Sequence, residues 1–243
     1  MFYKEIKDLK KLSVSLKIAI TSFLIIAGIG YILGFLNIYF TYSPVDKKPG
    51  LSLTDISLSF LGSGKTTKLE KAIDGSMHQY FENEKDYNEV KEWIISGGNK
   101  EQFSTIKKII DPSCNECHSS KAKVADVILE SYDDIGQYLI KDTGKSLSRL
   151  VSISHTHILG ILPIIFILTL IFSFTLYSER LKSFVIGFAF FSIVLDIGSW
   201  WIVKYFVVPV ILIPIGGAFL ALSFLMLIIL SLFEMWIKKV KSQ

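Results

Sequence analysis

The sharpest chemical signal in this sequence is the run Cys114-Asn115-Glu116-Cys117-His118. Two thiols separated by two residues can reach the two vinyl groups of one haem. The histidine that follows is then held beneath the iron as its proximal ligand. This chemistry requires thiols outside the cytoplasm, so it makes a demand on topology. Three other uses of the pair compete. The pair could close a disulfide. A thioredoxin-like dithiol should open a helix after a buried strand, and no strand pattern precedes Cys114. A structural zinc site needs four ligands and usually a second cysteine pair, but the chain holds only two cysteines and four histidines. The spacing therefore predicts one covalently bound haem c on Cys114 and Cys117, with His118 on the iron.

The elements that must position this motif are set by long apolar blocks in the 243 residues. One block runs from about Ile18 to Phe40, and others fill most of the chain after Val151. Runs of roughly 20 apolar residues are long enough to cross a bilayer as a helix. The first block follows Lys4, Lys7, Lys10, Lys11 and Lys17 and ends at Thr41-Tyr42-Ser43-Pro44. It is longer than a signal-peptide core and lacks its cleavage site, so it reads as an uncleaved anchor. The second half breaks at Ser178-Glu179-Arg180-Leu181-Lys182 and again at Lys204-Tyr205 with Pro209. This gives helices near His155–Tyr177, Ser183–Tyr205 and Val207–Phe233.

Charge then sets the orientation. The net charge is +4, yet positions 41–150 hold 15 basic and 17 acidic residues. Elsewhere 11 bases face 5 acids, and 10 of those bases lie in the N-terminal tail, the 178–182 turn and Lys238, Lys239 and Lys241. The positive-inside rule places those three regions in the cytoplasm. Lys204 is the exception and is expected to snorkel to the interface. The basic excess is thus a topology signal, with no stripe for nucleic acid. The expected architecture is all-α: four transmembrane helices with a small helical extracytoplasmic haem c domain inserted between helices one and two. Its parts are 1–41 (tail and first span), 42–150 (haem domain) and 151–243 (three spans and tail). The expected place is the bacterial inner membrane, multi-pass, with both termini cytoplasmic and the haem domain periplasmic.

Within 42–150 the periodicity is helical. Leu69, Ile73, Met77 and Tyr80 or Phe81 recur at three- and four-residue steps, as do Val124, Val127, Ile128, Tyr132, Ile135 and Leu139. Shorter patterns cover Tyr87–Ile95, ending at Gly97-Gly98, and Glu101–Ile110, with Pro112 as the stop. A covalent haem would supply much of the core that so small a domain lacks.

The stretch Ile110-Asp111-Pro112-Ser113-Cys114-Asn115-Glu116-Cys117-His118-Ser119 resembles that of mono-haem c-type cytochromes fused to membrane helices. The resemblance covers about ten residues specifically and implies electron transfer. One departure stands out: no methionine follows His118 until Met226. The distal ligand is therefore sought among Met77, His78, His155 and His157. Met77 lies on an apolar helix face, where core packing competes. His78 lies beside that face. His155 and His157 are expected at the mouth of helix two, pointing about 200° apart at ~100° per residue. Histidine ligation is slightly favoured there, and it predicts a lower potential than methionine would. An interfacial histidine cap is the plain alternative.

No histidine follows His157, so no membrane-embedded haem pair is expected. Asp196 is the one acid well inside an apolar run, and it is the candidate proton acceptor from a quinol beside Trp200 and Trp201. A hydrogen bond to a serine, and an aromatic belt, are the plain readings of these residues. Glu234 is expected to pair with Lys238 on a helix surface. Gly62-Ser63-Gly64-Lys65-Thr66 imitates a phosphate loop, but Ser59 stands where glycine is required, so it reads as a turn. The leading function is an electron carrier working with membrane lipid, a periplasmic cytochrome or reductase as redox partner, and quinol. The competing functions are a haem-bearing docking or sensory subunit of a larger complex, and an enzyme holding a metal on His155 and His157.

Overall fold

The computed structural model describes residues 8–43, 45–122, 124, 125, 127–206 and 208–237. Lys4, Lys7, Lys238, Lys239 and Lys241, which carry much of the orientation argument, lie outside them. Every regular element among the described residues is helical, with one isolated bridge between Thr67 and Lys141. The helices are α1 (Val14–Tyr42), α2 (Leu53–Phe60), α3 (Lys68–Asp74), α4 (Glu84–Ile95), α5 (Phe103–Ser113), α6 (Asn115–His118), α7 (Tyr132–Gly136), α8 (Leu147–Ser173), α9 (Glu179–Tyr205) and α10 (Leu212–Trp236). They form two compact units. One holds residues 1–60 and 145–243, and the other holds Leu61–Gly144, a narrower span than 42–150.

In the first unit, α1, α8, α9 and α10 are each long and apolar enough to cross a membrane. Serines start three of them. Ser13, Ser146 and Ser178 each accept the N–H three residues on, which satisfies a donor left open by helix geometry. Two boundaries differ from the sequence expectation. The Ser146 cap starts α8 at Leu147, about two turns before His155. The Ser178 cap draws Glu179–Lys182 into the first turn of α9, where a charged turn is expected from sequence. The Lys204 ammonium at the end of α9 donates to the carbonyl of Phe60 at the end of α2 (3.2 Å).

The seam of α9 and α10 is small and polar. Ala189, Ser192, Asp196 and Ser199 are buried on α9, and Gly216, Ser223, Ser231 and Glu234 on α10. In lipid, helices associate by close backbone approach and interhelical hydrogen bonds. The Ser223 hydroxyl contacts that of Ser192 at 3.0 Å. A Cβ at Gly216 would stand 2.6 Å from Asp196 Cα, whereas one at Gly217 would meet only Asp196 Oδ1 at 3.7 Å. Gly216→Ala is accordingly expected to cost about 1–3 kcal/mol through overpacking. It should lower the unfolding midpoint in detergent, and Gly217→Ala should leave it near the wild-type value. The pairing expected with Lys238 falls on a residue outside the described ones, but Glu234 is not on the surface. It is fully buried, and its carboxylate accepts the N–H of Leu176 at 2.5 Å, tying the α8–α9 turn to α10.

The second unit is built on Leu69, Ile73, Val90, Trp93, Ile94, Phe103, Ile106, Ile110, Leu129 and Ile135. The two long helical patterns expected here are broken. Gly75 ends α3, and Met77 reaches a separate 3-10 turn, His78–Tyr80. The second pattern is helical only over α7, where Ser131 and Asp134 form a capping box, so Val127 and Leu129 precede any helix. The helix α5 ends at Ser113, directly before Cys114, with Pro112 inside its last turn. Gly62 and Gly64 adopt positive φ (76° and 65°), and the Gly64 N–H donates to the Asp142 carbonyl, so the glycine-rich run is a turn.

Asp142 is a buried joint of this unit. It takes the Lys71 ammonium at 2.8 Å and the Gly144 N–H at 2.9 Å. Burial pushes its carboxyl up, but these bonds outweigh burial and hold it below the usual carboxylate range. A folded pKa below the unfolded one contributes stability above about pH 4, and that stability fades as pH falls through the folded value. Asp142→Asn should therefore weaken this unit at neutral pH and flatten its acid-unfolding profile, read by hydrogen exchange of its amides.

Candidate functional site

The motif is assembled by one turn of helix. The Cys114 carbonyl accepts the N–H of Cys117 (3.1 Å) and of His118 (2.9 Å). Positions i, i+3 and i+4 share a face, so Cys114, Cys117 and His118 point together, away from Asn115 and Glu116. All three line one cavity of about 470 Å³, within the 300–1,000 Å³ usual for small-molecule and cofactor sites. Its remaining wall is largely apolar and comes from the same unit: Leu69, Ala72, Ile73 and Met77 from α3 and the turn after it, and Ala125, Val127 and Leu129 beyond α6.

His118 is held in a defined state. Its Nδ1 lies 2.9 Å from the Val127 carbonyl, and the Leu129 N–H returns a bond to the His118 carbonyl at 2.9 Å. A carbonyl can only accept, so Nδ1 carries a proton, and in the neutral ring Nε2 keeps its lone pair. Iron-ligating histidines are oriented in this way by their second nitrogen. Both cysteines are free thiols. Burial pushes the Cys114 thiol up to about 11, the opposite of the lowered pKa that a nucleophilic dithiol requires. Ser113 also lines the cavity, and its hydroxyl is buried without a hydrogen-bond partner among the described residues. Two thiols, a histidine with a free Nε2, a thioether and an orphaned hydroxyl around an apolar space form a donor set that fits a haem.

The four distal-ligand candidates fall in different places. Met77 lines the cavity. His78 does not. Its Nε2 is 3.4 Å from Glu84, and its ring packs edge-on against Tyr87 at 4.3 Å. His155 and His157 are exposed on α8 of the other unit, roughly 12 and 15 Å along that helix at 1.5 Å per residue. His157 Nδ1 donates to the Ile153 carbonyl at 2.7 Å, and its ring meets Trp200 edge-on at 5.0 Å.

Asp196 lies in the α9–α10 seam. Its carboxylate is near Gly217, whose carbonyl accepts the Tyr31 hydroxyl at 3.2 Å. Ser199 donates to the Asp196 backbone carbonyl at 2.6 Å, not to the carboxylate. An apolar groove between α8 and α9 is lined by Ile158, Leu162, Ile197, Gly198 and Trp201. Asp196 lies roughly 140° round α9 from its centre, at ~100° per residue. Trp201 donates to Ser154 at 2.9 Å, and Trp200 is buried, so neither is simply a belt residue.

Sequence reasoning missed Val127 and Ser113. Val127 acts through its backbone, which no residue type signals, and its spacing had marked it as helical. Ser113 could have been noticed as the polar neighbour of the first thiol. Among the described residues no three His, Cys, Asp or Glu side chains are grouped so as to hold a bare metal ion.

Residues 139–242 match a family model described as a transmembrane helical domain. The match spans α8, α9 and α10, begins beyond Cys114–His118, and covers under half of the chain. No curated protein and no solved structure matches the chain.

Proposed function

We propose that this integral membrane protein is a mono-haem c-type cytochrome that transfers electrons at the outer face of the bacterial inner membrane. One observation carries the reading: Cys114, Cys117 and His118 converge on a single apolar cavity, with His118 Nε2 left free by the bond from Nδ1 to Val127. Cys114 and Cys117 would hold the group through two thioethers. Each thiol would add across a vinyl group, its sulfur bonding one carbon and its proton going to the other, with no net oxidation or reduction. When bound, the haem supplies a one-electron iron couple. The residues of this chain bind and orient it, and the apolar wall excludes water. Met77 is the proposed distal ligand, because it lines the same cavity as His118, whereas His78 of the same unit turns to Glu84 and Tyr87.

The positive-inside argument supports cytoplasmic termini and a periplasmic site. The proposed partners are membrane lipid, a quinol as donor and a periplasmic cytochrome or reductase as acceptor. Asp196 is the proposed proton acceptor, and its seat away from the α8–α9 groove makes Asp196→Asn the test of that role. Unchanged quinol-driven reduction in that variant removes Asp196. A second reading is a docking or sensory subunit. It draws on α1, which fully buries only Leu24 and leaves most of its apolar surface exposed to lipid or partner helices.

The deciding experiment is a reduced-minus-oxidised spectrum with a pyridine haemochrome assay on purified protein. One c-type haem per chain is expected, and its absence from correctly exported protein overturns the proposal. Rapid reversible reduction favours the carrier, whereas tight gas binding at an open iron favours the sensory subunit.

A further inference from the structure

Lys68 is the one lysine or arginine among the residues lining the cavity. It is the first residue of α3, fixed there by the Thr67 cap, and it is half-buried. No carboxylate among the described residues pairs with its ammonium, and the nearby acids are engaged elsewhere. Glu70 accepts the Thr67 N–H in the capping box, Asp142 takes Lys71, and Asp74 takes Lys91 and the Tyr87 hydroxyl. With no carboxylate of its own among the described residues, Lys68 leaves a cation at the cavity for an anionic ligand group to pair with. The group that the cysteines imply carries such anions. A haem has two carboxylates on the edge remote from its vinyls, and Cys114 and Cys117 consume the vinyl edge.

Resting on the haem reading above, we infer that Lys68 is the cation that pairs with a haem propionate and raises the reduction potential. The sign follows from charge. Reduction adds an electron to the group, a nearby ammonium favours that state, and its removal disfavours it. Lys68 thus acts as a positioning and tuning residue and touches no reacting bond.

The test is a redox titration of full-length protein in detergent, with haem content checked by haemochrome. Lys68→Met is expected to lower the equilibrium constant for reduction roughly tenfold, about 59 mV for one electron. Lys68→Arg, which keeps the charge, should track wild type. A Lys68→Met potential that overlays wild type overturns the inference, as does an equal shift in Lys68→Arg. Loss of haem from Lys68→Met alone supports the charge requirement, while loss from both variants assigns Lys68 to the fold and overturns it. A wild-type chain without haem instead defeats the underlying reading, so the two failures are distinguishable.

Discussion

A chain with alanine at both Cys114 and Cys117 is expected to reach the membrane with no covalent haem, whereas wild type carries one. The effect is all-or-none because each thioether is a covalent bond, and these are the only two cysteines in the chain. Single variants grade the result. Either Cys→Ala change leaves one bond and should reduce the haem retained after denaturation. His118→Ala should leave both attachment points but remove the proximal ligand, altering the spectrum more than the haem mass. The fold should tolerate Cys117→Ala, since that side chain is exposed. Cys114 packs against the core of its unit, so Cys114→Ser is the gentler probe there. Intact mass and a haem stain on a denaturing gel read the outcome. Wild-type protein that shows two free thiols after export would sink the haem reading and leave the pair as a dithiol.

Much of the membrane half was legible because apolar length is a one-dimensional signal. All four long helices stand where the blocks predicted them, and the errors lie at their ends. There, single capping serines at 146 and 178 outweighed the hydropathy pattern. In Leu61–Gly144, periodicity was overread. The Leu69–Phe81 pattern continues across Gly75 in sequence, but the helix does not. The Val124–Leu139 pattern hid a capping box at Ser131 that could have been read from its Ser-x-x-Asp spacing. Glu234 was misread for a different reason. A glutamate four residues before a lysine suggests a surface pair, and only the fold shows an N–H from another helix end waiting for it. The Cys114–His118 run was plain in the sequence. Its environment was not, because a cavity arises from elements distant in sequence, and the proton on His118 is set by a backbone carbonyl.

That environment also bears on the sixth ligand, where sequence spacing leaned towards His155 or His157. Met77→Ala is expected to lower the midpoint potential by a sizeable fraction of the ~0.8 V that axial ligation spans, and to open the iron to added imidazole. The reason is local. Gly75 ends α3, the Met77 N–H folds back to the Ala72 carbonyl at 3.1 Å, and the next turn sends His78 to Glu84 and Tyr87. The backbone therefore sends Met77 and His78 apart, and Met77 is the one that lines the cavity with His118. Met77→His should keep the iron six-coordinate and still lower the potential, because an imidazole replaces a thioether. His155→Ala and His157→Ala should leave potential and spectrum unchanged. The opposite pattern, an unmoved Met77→Ala and a potential that changes in His157→Ala, would place the ligand on α8. It would also mean that the cavity's methionine serves only as packing, the ordinary use of a flexible side chain in a core.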